Sequence, residues 1–249
     1  MRYLGPHACE EALERGELQT LRIAPPAWER VAKLRTAARE QGVVVHREPM
    51  DSLDRRCQGQ RHQGVLGEGE AITLATMDTL LAQVRERGAQ ALVLALDGIS
   101  DPHNFGAILR SAAGAGVDGV VFPERRSAQV NETVMRASAG TAGRVPLVRV
   151  VNLARALEQL QEAGAWVYGL AGGEASRDYL DEPFDRGTVL VLGSEGEGLH
   201  QKIREHCDGL LGIGMPGGIE SLNVSSAAAV MLFRVLARRR PSQRIPHAD

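Results

Sequence analysis

The segment ALVLALD, residues 91–97, carries no polar side chain until its last residue, Asp97. A strand that alternates apolar and polar residues buries one face, whereas a run that is apolar throughout must be covered on both. Further short, mainly apolar runs recur downstream as GVVF (119–122), VPLVRVV (145–151), WVYGLAG (166–172), TVLVLG (188–193) and GLLGIG (209–214). Between them NFGAILRSAAGAG (104–116), NETVMRASAG (131–140), NLARALEQLQEAG (152–164) and LHQKIREHC (199–207) have helical spacing. This alternation predicts an α/β fold with a parallel sheet covered on both faces, and ligands of such sheets collect beyond the carboxyl ends of the strands.

Residues 1–66 have a different texture. HACEEALERG, LQTLRIA, PAWERVAKLRTAAREQG and VVVHRE read in the order helix, strand, helix, strand and predict a small α/β unit of their own. GEGEAITLAT (67–76), with two glycines and no strong period, is expected to be a linker, and residues 77–249 a larger second domain. The chain has 29 basic and 31 acidic residues for a net charge of −2, so it does not hold nucleic acid by bulk charge. All basic residues but Lys33 and Lys202 are arginine, which suits phosphate recognition and follows equally from a GC-rich genome. Cys9, Cys57 and Cys207 are scattered without a CxxC pair, and His7/Cys9 and Cys57/His62 lack ligand spacing, so no disulfide framework and no metal site is expected. With no long apolar stretch and a polar amino terminus, the expected location is cytoplasmic and away from membranes.

Three unusual loops each follow a predicted strand. In the first, LDGISDPHNFGAILRSA (96–112), Asp101 and Asn104 stand where a helix begins, and Arg110 interrupts a face of small and apolar residues. An arginine there either serves a ligand or snorkels to solvent. The second, LVLGSEGEGL (190–199), has the order GxxGxG instead of the dinucleotide GxGxxG, and Glu195 and Glu197 would repel a pyrophosphate. It suits a ligand without phosphates, or it is a tight turn before a helix. The third, IGMPGGIESLNVSS (213–226), crowds Glu220, Ser221, Asn223, Ser225 and Ser226 against an apolar helix start, where one cap would suffice.

Together DPHNFGAILRSA, LGSEGEGL and MPGGIESLNVSSAAAVML resemble the three signature motifs of the SPOUT-class RNA 2′-O-methyltransferases, specifically the SpoU/TrmH family. The amino-terminal part, with GPHACEEAL near its start and HQGV near its end, is similar to the L30e/L7Ae-like substrate-binding domain of the branch that methylates 23S rRNA guanosine. Gly214 and Ser226 depart from the usual proline and larger apolar residue. The resemblance implies a trefoil-knotted carboxyl-terminal domain that binds S-adenosyl-L-methionine, with Gly193, Gly196, Ile213, Met215 and Leu222 at the cofactor. It further implies a reaction site of Asn104, Arg110, Glu195, Ser221 and Asn223, and a homodimer in which the neighbour's first motif completes each site. Arginine keeps its proton at any physiological pH, so a positioning and electrostatic role for Arg110 is preferred over that of a base. The expected partner is 23S rRNA. A tRNA guanosine or an rRNA adenosine remains the alternative substrate, and a non-catalytic RNA-binding protein the distant one. Within RRCQGQRHQG, Arg55, Arg56, Arg61 and His62 are the expected RNA contacts of the first domain.

Overall fold

The polar helices and short apolar strands of the amino-terminal part build a unit spanning Met1–Ile72. In the computed structural model, which describes residues 1–14, 16–69, 74–173 and 176–239, its elements are β1 (Arg2–Leu4), α1 (Pro6–Glu14), β2 (Leu18–Ile23), α2 (Ala32–Glu40), β3 (Val44–Arg47), α3 (Met50–Cys57) and β4 (Val65–Gly69). The sheet order is β1-β4-β2-β3, with β2 and β3 parallel and β4 antiparallel to both its neighbours. Tyr3, Cys9, Leu13, Leu21, Ile23, Leu34 and Val65 form its core. Strand β4 continues through Gly69, three residues into the expected linker, because it pairs with β1 and the Met1 amino group donates to the Gly69 carbonyl. Residues 70–73, the middle of that expected linker, lie outside the described residues.

Helix α3 was not expected, and it changes the reading of the arginine-rich segment. Arg55 and Arg56 belong to its last turn. Arg56 Nε donates to Glu48 Oε1 at 2.8 Å, and Arg22 bonds both Glu48 (3.0 Å) and Glu68 (2.6 Å). Ser52 also donates to Glu48. The guanidinium of Arg56 is therefore ion-paired with a carboxylate of its own domain, while its side chain stays 43% exposed. His62 is a second correction: it is buried, with Nε2 2.8 Å from Asp54 Oδ1 and Nδ1 accepting from the Gly64 amide, so it fixes the turn and does not face a ligand. Arg55 and Arg61 are exposed.

The second unit comprises α4 (Met77–Arg87), β5 (Leu92–Asp97), α5 (Pro102–Ala115), β6 (Gly119–Pro123), α6 (Glu132–Ala137), β7 (Leu147–Val150), α7 (Leu153–Glu162), β8 (Trp166–Leu170), β9 (Arg177–Asp178), β10 (Thr188–Gly193), α8 (Gln201–Glu205), β11 (Gly209–Gly212) and α9 (Val224–Arg239). The strands pair in parallel in the order β7-β6-β5-β10-β8-β11-β9. As the apolar run required, β5 is buried from end to end. Val93, Ala95, Val189 and Val191 join Leu80, Val84, Leu157 and Leu160 of α4 and α7 in one core. By the two-residue period Leu94, Leu96, Leu190 and Leu192 face the opposite side of the sheet, where α9 lies against α5 and β10. Gly106 lets α5 meet α6, since a Cβ there would stand 2.4 Å from that of Ala137. At the far end of α9 the Arg239 guanidinium donates to the carbonyls of Gln90, Ala91, Phe184 and Arg186. It closes the amino-terminal edge of β5 and β10.

Burial disfavours the charge on Glu48, but the hydrogen bonds from Ser52, Arg56 and Arg22 outweigh it and bring its pKa from 4.5 down to about 2. A depressed carboxylate stabilises the fold above its unfolded pKa and loses that contribution as pH falls through the folded value. The window here is pH 4.5 to about 2. On that basis Glu48→Gln should cost on the order of 2–3 kcal/mol at pH 7 and much less at pH 2, as read from urea denaturation of the full chain. Equal losses at both pH values would show that the network contributes by packing alone.

Candidate active site

The centre of the second sheet brings two strand ends together. Gly193, closing β10, is the registered partner of Asp97, closing β5. The Asp97 carboxylate is buried and accepts the backbone N–H of His200 at 2.8 Å, with His200 Nδ1 2.9 Å from its other oxygen. A carboxylate only accepts, so that ring nitrogen carries the proton. Between these anchors the chain makes a small closed loop, in which Ser194 and Gly198 exchange two backbone hydrogen bonds of 3.0 Å. Gly196 and Gly198 take positive φ at its turn. A Cβ on Gly193 would lie 2.1 Å from the Gly198 carbonyl carbon. Glycine at 193 is thus required by the closure of the loop on itself.

The first loop ends in α5, whose Asp101 caps the N–H groups of His103 and Asn104. Asn104 is therefore inside the helix and free to point its amide elsewhere. In the third loop Met215–Gly218 forms a turn closed by the Gly218 amide on the Met215 carbonyl, with Gly218 at φ +75°. The chain then enters α9 at Val224, capped by Asn223, whose Oδ1 accepts the Ser225 amide at 2.9 Å and its hydroxyl at 2.6 Å. The same side chain donates from Nδ2 to Asn104 Oδ1 at 2.9 Å and to Glu195 Oε1 at 2.5 Å. One amide thus joins all three loops.

Beside this junction is a cleft of ≈ 570 Å³ lined by Leu170–Gly172 at the end of β8, Leu192–Gly196 and Gly198 at the end of β10, and Glu220–Val224 with Ala227 at the start of α9. A smaller recess of ≈ 100 Å³ is lined by Gly98–Asp101, Asn104, Ser194, Glu195 and Val224. Of the residues expected at the cofactor, Gly193, Gly196 and Leu222 line the cleft, whereas Ile213 and Met215 do not. Of those expected at the reaction site, Glu195, Ser221 and Asn223 line the cleft and Asn104 the adjoining recess. Arg110 lines neither: it is exposed on α5, about 9 Å of helical rise beyond Asn104. Asp97, His200 and the Leu170–Gly172 wall were missing from the sequence reading. The sole sequence signals for them were an aspartate ending an apolar run and the glycines of WVYGLAG.

Among the described residues the cleft lining holds two carboxylates, Glu195 and Glu220, and no arginine or lysine. With its exposed backbone groups it suits a ligand of cationic or mixed charge over a polyphosphate. Among the described residues no cluster of three or more His, Cys, Asp or Glu could hold a metal ion.

A parallel sheet with a cleft built from polar loops at its strand ends defines a class that comparison with known proteins makes specific. Residues 91–233 match the model of the SpoU rRNA methylase family, and residues 4–74 match that of the RNA 2′-O ribose methyltransferase substrate-binding domain. The chain belongs to the SpoU rRNA methylase family. It is 50% identical over 212 residues, covering 84% of each chain, to the 23S rRNA (guanosine-2′-O-)-methyltransferase RlmB of Xanthomonas campestris pv. campestris. To the protein of the same name from Escherichia coli it is 39% identical over 241 residues, 94% of this chain and 97% of that one. Among solved structures it is similar to the AdoMet-bound rRNA methyltransferase of Sinorhizobium meliloti, with a TM-score of 0.66 and 25% identity over 96% of this chain and 87% of that one.

The triple role of Asn223 generates a test of the site's architecture. Asn223→Ala should lower stability by about 1–2 kcal/mol through loss of the cap. Asn223→Asp should retain the cap yet set a second carboxylate against Glu195, so its deficit should shrink as the pH is lowered toward the carboxylate range. Thermal denaturation across pH 4–8 measures both.

Proposed function

We propose that this chain methylates a ribose 2′-hydroxyl of a guanosine in 23S rRNA with S-adenosyl-L-methionine as the donor. The observation that carries the reading is the acidic, glycine-walled cleft at which Asn223 joins Asn104 to Glu195. A volume of ≈ 570 Å³ is within the range for a nucleoside-sized ligand. Bound there, the cofactor supplies an electrophilic methyl group on a sulfonium. Two carboxylates and no cation in the cleft lining favour that charge and argue against a dinucleotide. Gly193, Gly196 and Leu222 would hold it, with Ile213 and Met215 framing the loop that leads from β11 to the cleft.

The protein's task would then be in-line placement of the hydroxyl, so that its C–O bond forms as the S–C bond to the methyl group breaks and its proton passes to solvent. Asn104, Glu195, Ser221 and Asn223 form the polar wall facing the nucleotide. Arg110 orients the hydroxyl and its phosphate as a permanent cation. Because Arg110 stands outside the cleft of its own chain, the active species is proposed to be a homodimer in which it enters the neighbour's site. Ile219 and Phe233, apolar side chains more than half exposed beside and on α9, support such a contact. The reading includes a carboxyl-terminal trefoil knot, supported by β10 lying between β5 and β8 and by the return of α9 onto α5, and action in the cytoplasm during ribosome assembly.

Arg110→Ala should reduce methylation of an unmodified 23S rRNA transcript by roughly 10²-fold or more, as for removal of a group that stabilises transition-state charge. Its affinity for S-adenosylhomocysteine by calorimetry should stay at the wild-type value, with or without EDTA. Near-normal turnover of the variant would remove Arg110 from the mechanism. Light scattering should find a dimer at micromolar concentration, and an active monomer would refute completion of the site by a neighbour.

A further inference from the structure

The first unit segregates its charge. Helix α1 and the turn after it present Glu10, Glu11, Glu14 and Glu17, whereas residues 28–47, covering α2 and β3, carry five basic side chains against two carboxylates. On that second face Lys33, Arg39 and Arg47 are exposed, and β3 is the outer strand of the sheet. Arg22 and Arg56 belong to the Glu48 network instead. Exposed basic groups also stand at Arg2, Arg55, Arg56 and Arg61, and what sets the α2–β3 region apart is an aromatic ring beside its cations.

A planar layer lies at one end of this face. Trp28 follows the turn at Pro25–Ala27. Arg35 holds its Cζ 4.6 Å from the centre of the indole and donates to the Trp28 carbonyl at 3.0 Å, with its side chain only 18% exposed. Arg47, at the end of β3, holds its Cζ 5.4 Å from the same ring centre and is exposed. Arg35, mostly buried, fixes the indole, and exposed Arg47 sets a second cation within 5.4 Å of the same ring centre. Arg30 donates to the Gln63 carbonyl at 2.5 Å, which brings the loop carrying Arg61 to the same rim.

We infer that this α2–β3 face, centred on Trp28 and Arg47, is the docking surface for an unpaired segment of RNA, one base of which stacks on the Arg47–Trp28 layer. The inference rests on the RNA-methyltransferase reading and names the surface that selects the substrate. Unpaired RNA exposes π-faces that stack on aromatic rings and guanidinium planes, and its backbone is tracked by spaced cations. Arg30, beside Trp28 in the chain, and Arg39, one turn along α2 from Arg35, supply such cations. An acidic peptide would use the charges and leave the stacked layer without a role.

Trp28 and Trp166 are the two tryptophans of the chain, so Trp166→Phe leaves Trp28 as its sole tryptophan reporter. Titration of this full-length variant with an unmodified 23S rRNA transcript should quench Trp28 emission. Arg47→Ala should weaken transcript binding by roughly tenfold and flatten the slope of log affinity against log salt by about one. Arg47→Lys should restore the salt slope but only part of the affinity, and S-adenosylhomocysteine binding should be unchanged in every variant. Wild-type RNA affinity in Arg47→Glu together with unquenched Trp28 emission overturns the surface while leaving the methyltransferase reading standing. Failure of the unsubstituted chain to bind or methylate the transcript overturns both.

Discussion

The pairing of β10 with β5 is the interaction on which the rest of the second unit depends. It runs in register from Thr188 and Leu92 to Gly193 and Asp97, with both strands buried along their length. A one-residue slip would exchange the two faces of the strand and take Gly193 away from Asp97. Its two ends are secured by different chemistry. At the amino-terminal end Arg239 collects four backbone carbonyls, and burial, with Arg87 adding to it and Asp118 opposing, lowers its pKa. At the carboxyl-terminal end Asp97 holds both the backbone and the ring of His200, which fixes where the second polar loop returns to the fold.

Between these anchors the loops have freedom, and the cleft is built there. The strands supply a rigid base with no polar side chains to spare. The loops supply Asn104, Glu195, Ser221 and Asn223, which the sheet could not have accommodated without burying unsatisfied groups. Asn223 is economical because an amide both donates and accepts. Its oxygen satisfies the helix start, which leaves its nitrogen to couple the first and second loops. Cys207, lying near the same strand ends, is pushed up to about 11 chiefly by burial, with Asp208 and Asp97 adding to the effect, so it remains a thiol. Electrostatics thus differ locally between an acidic cleft and a first unit with several exposed arginines, within a chain whose net charge is only −2.

Legibility in the sequence followed the strength of the local signal. The buried strands at 91–97 and 188–193 were plain because length and unbroken apolarity leave few alternatives. Asp101 as a cap was legible from residue chemistry. Helix α3 was not, since MDSLDRRC is short and mostly polar and its single buried face rests on Leu53 and Cys57. The end of the first unit was misplaced because a glycine-rich strand, GEG, is indistinguishable from a linker until its partner β1 is known.

By itself the sequence determined the alternating architecture, the three loops and the residue types they carry, because backbone propensity and burial act over a few neighbouring residues. Tertiary structure alone decided which polar groups are available. Arg56 and His62 looked alike with Arg55 and Arg61 along the chain, yet Arg56, though exposed, is ion-paired with Glu48, and His62 is buried against Asp54. Gly193 lines the cleft, and the space where its Cβ would stand is taken by the Gly198 carbonyl. Asn223 meets Asn104, 119 residues earlier, and Glu195, 28 residues earlier. Hydrogen bonds between such distant groups have no local signature, because what brings them together is the strand order of the sheet and not the chemistry of their neighbours in the chain.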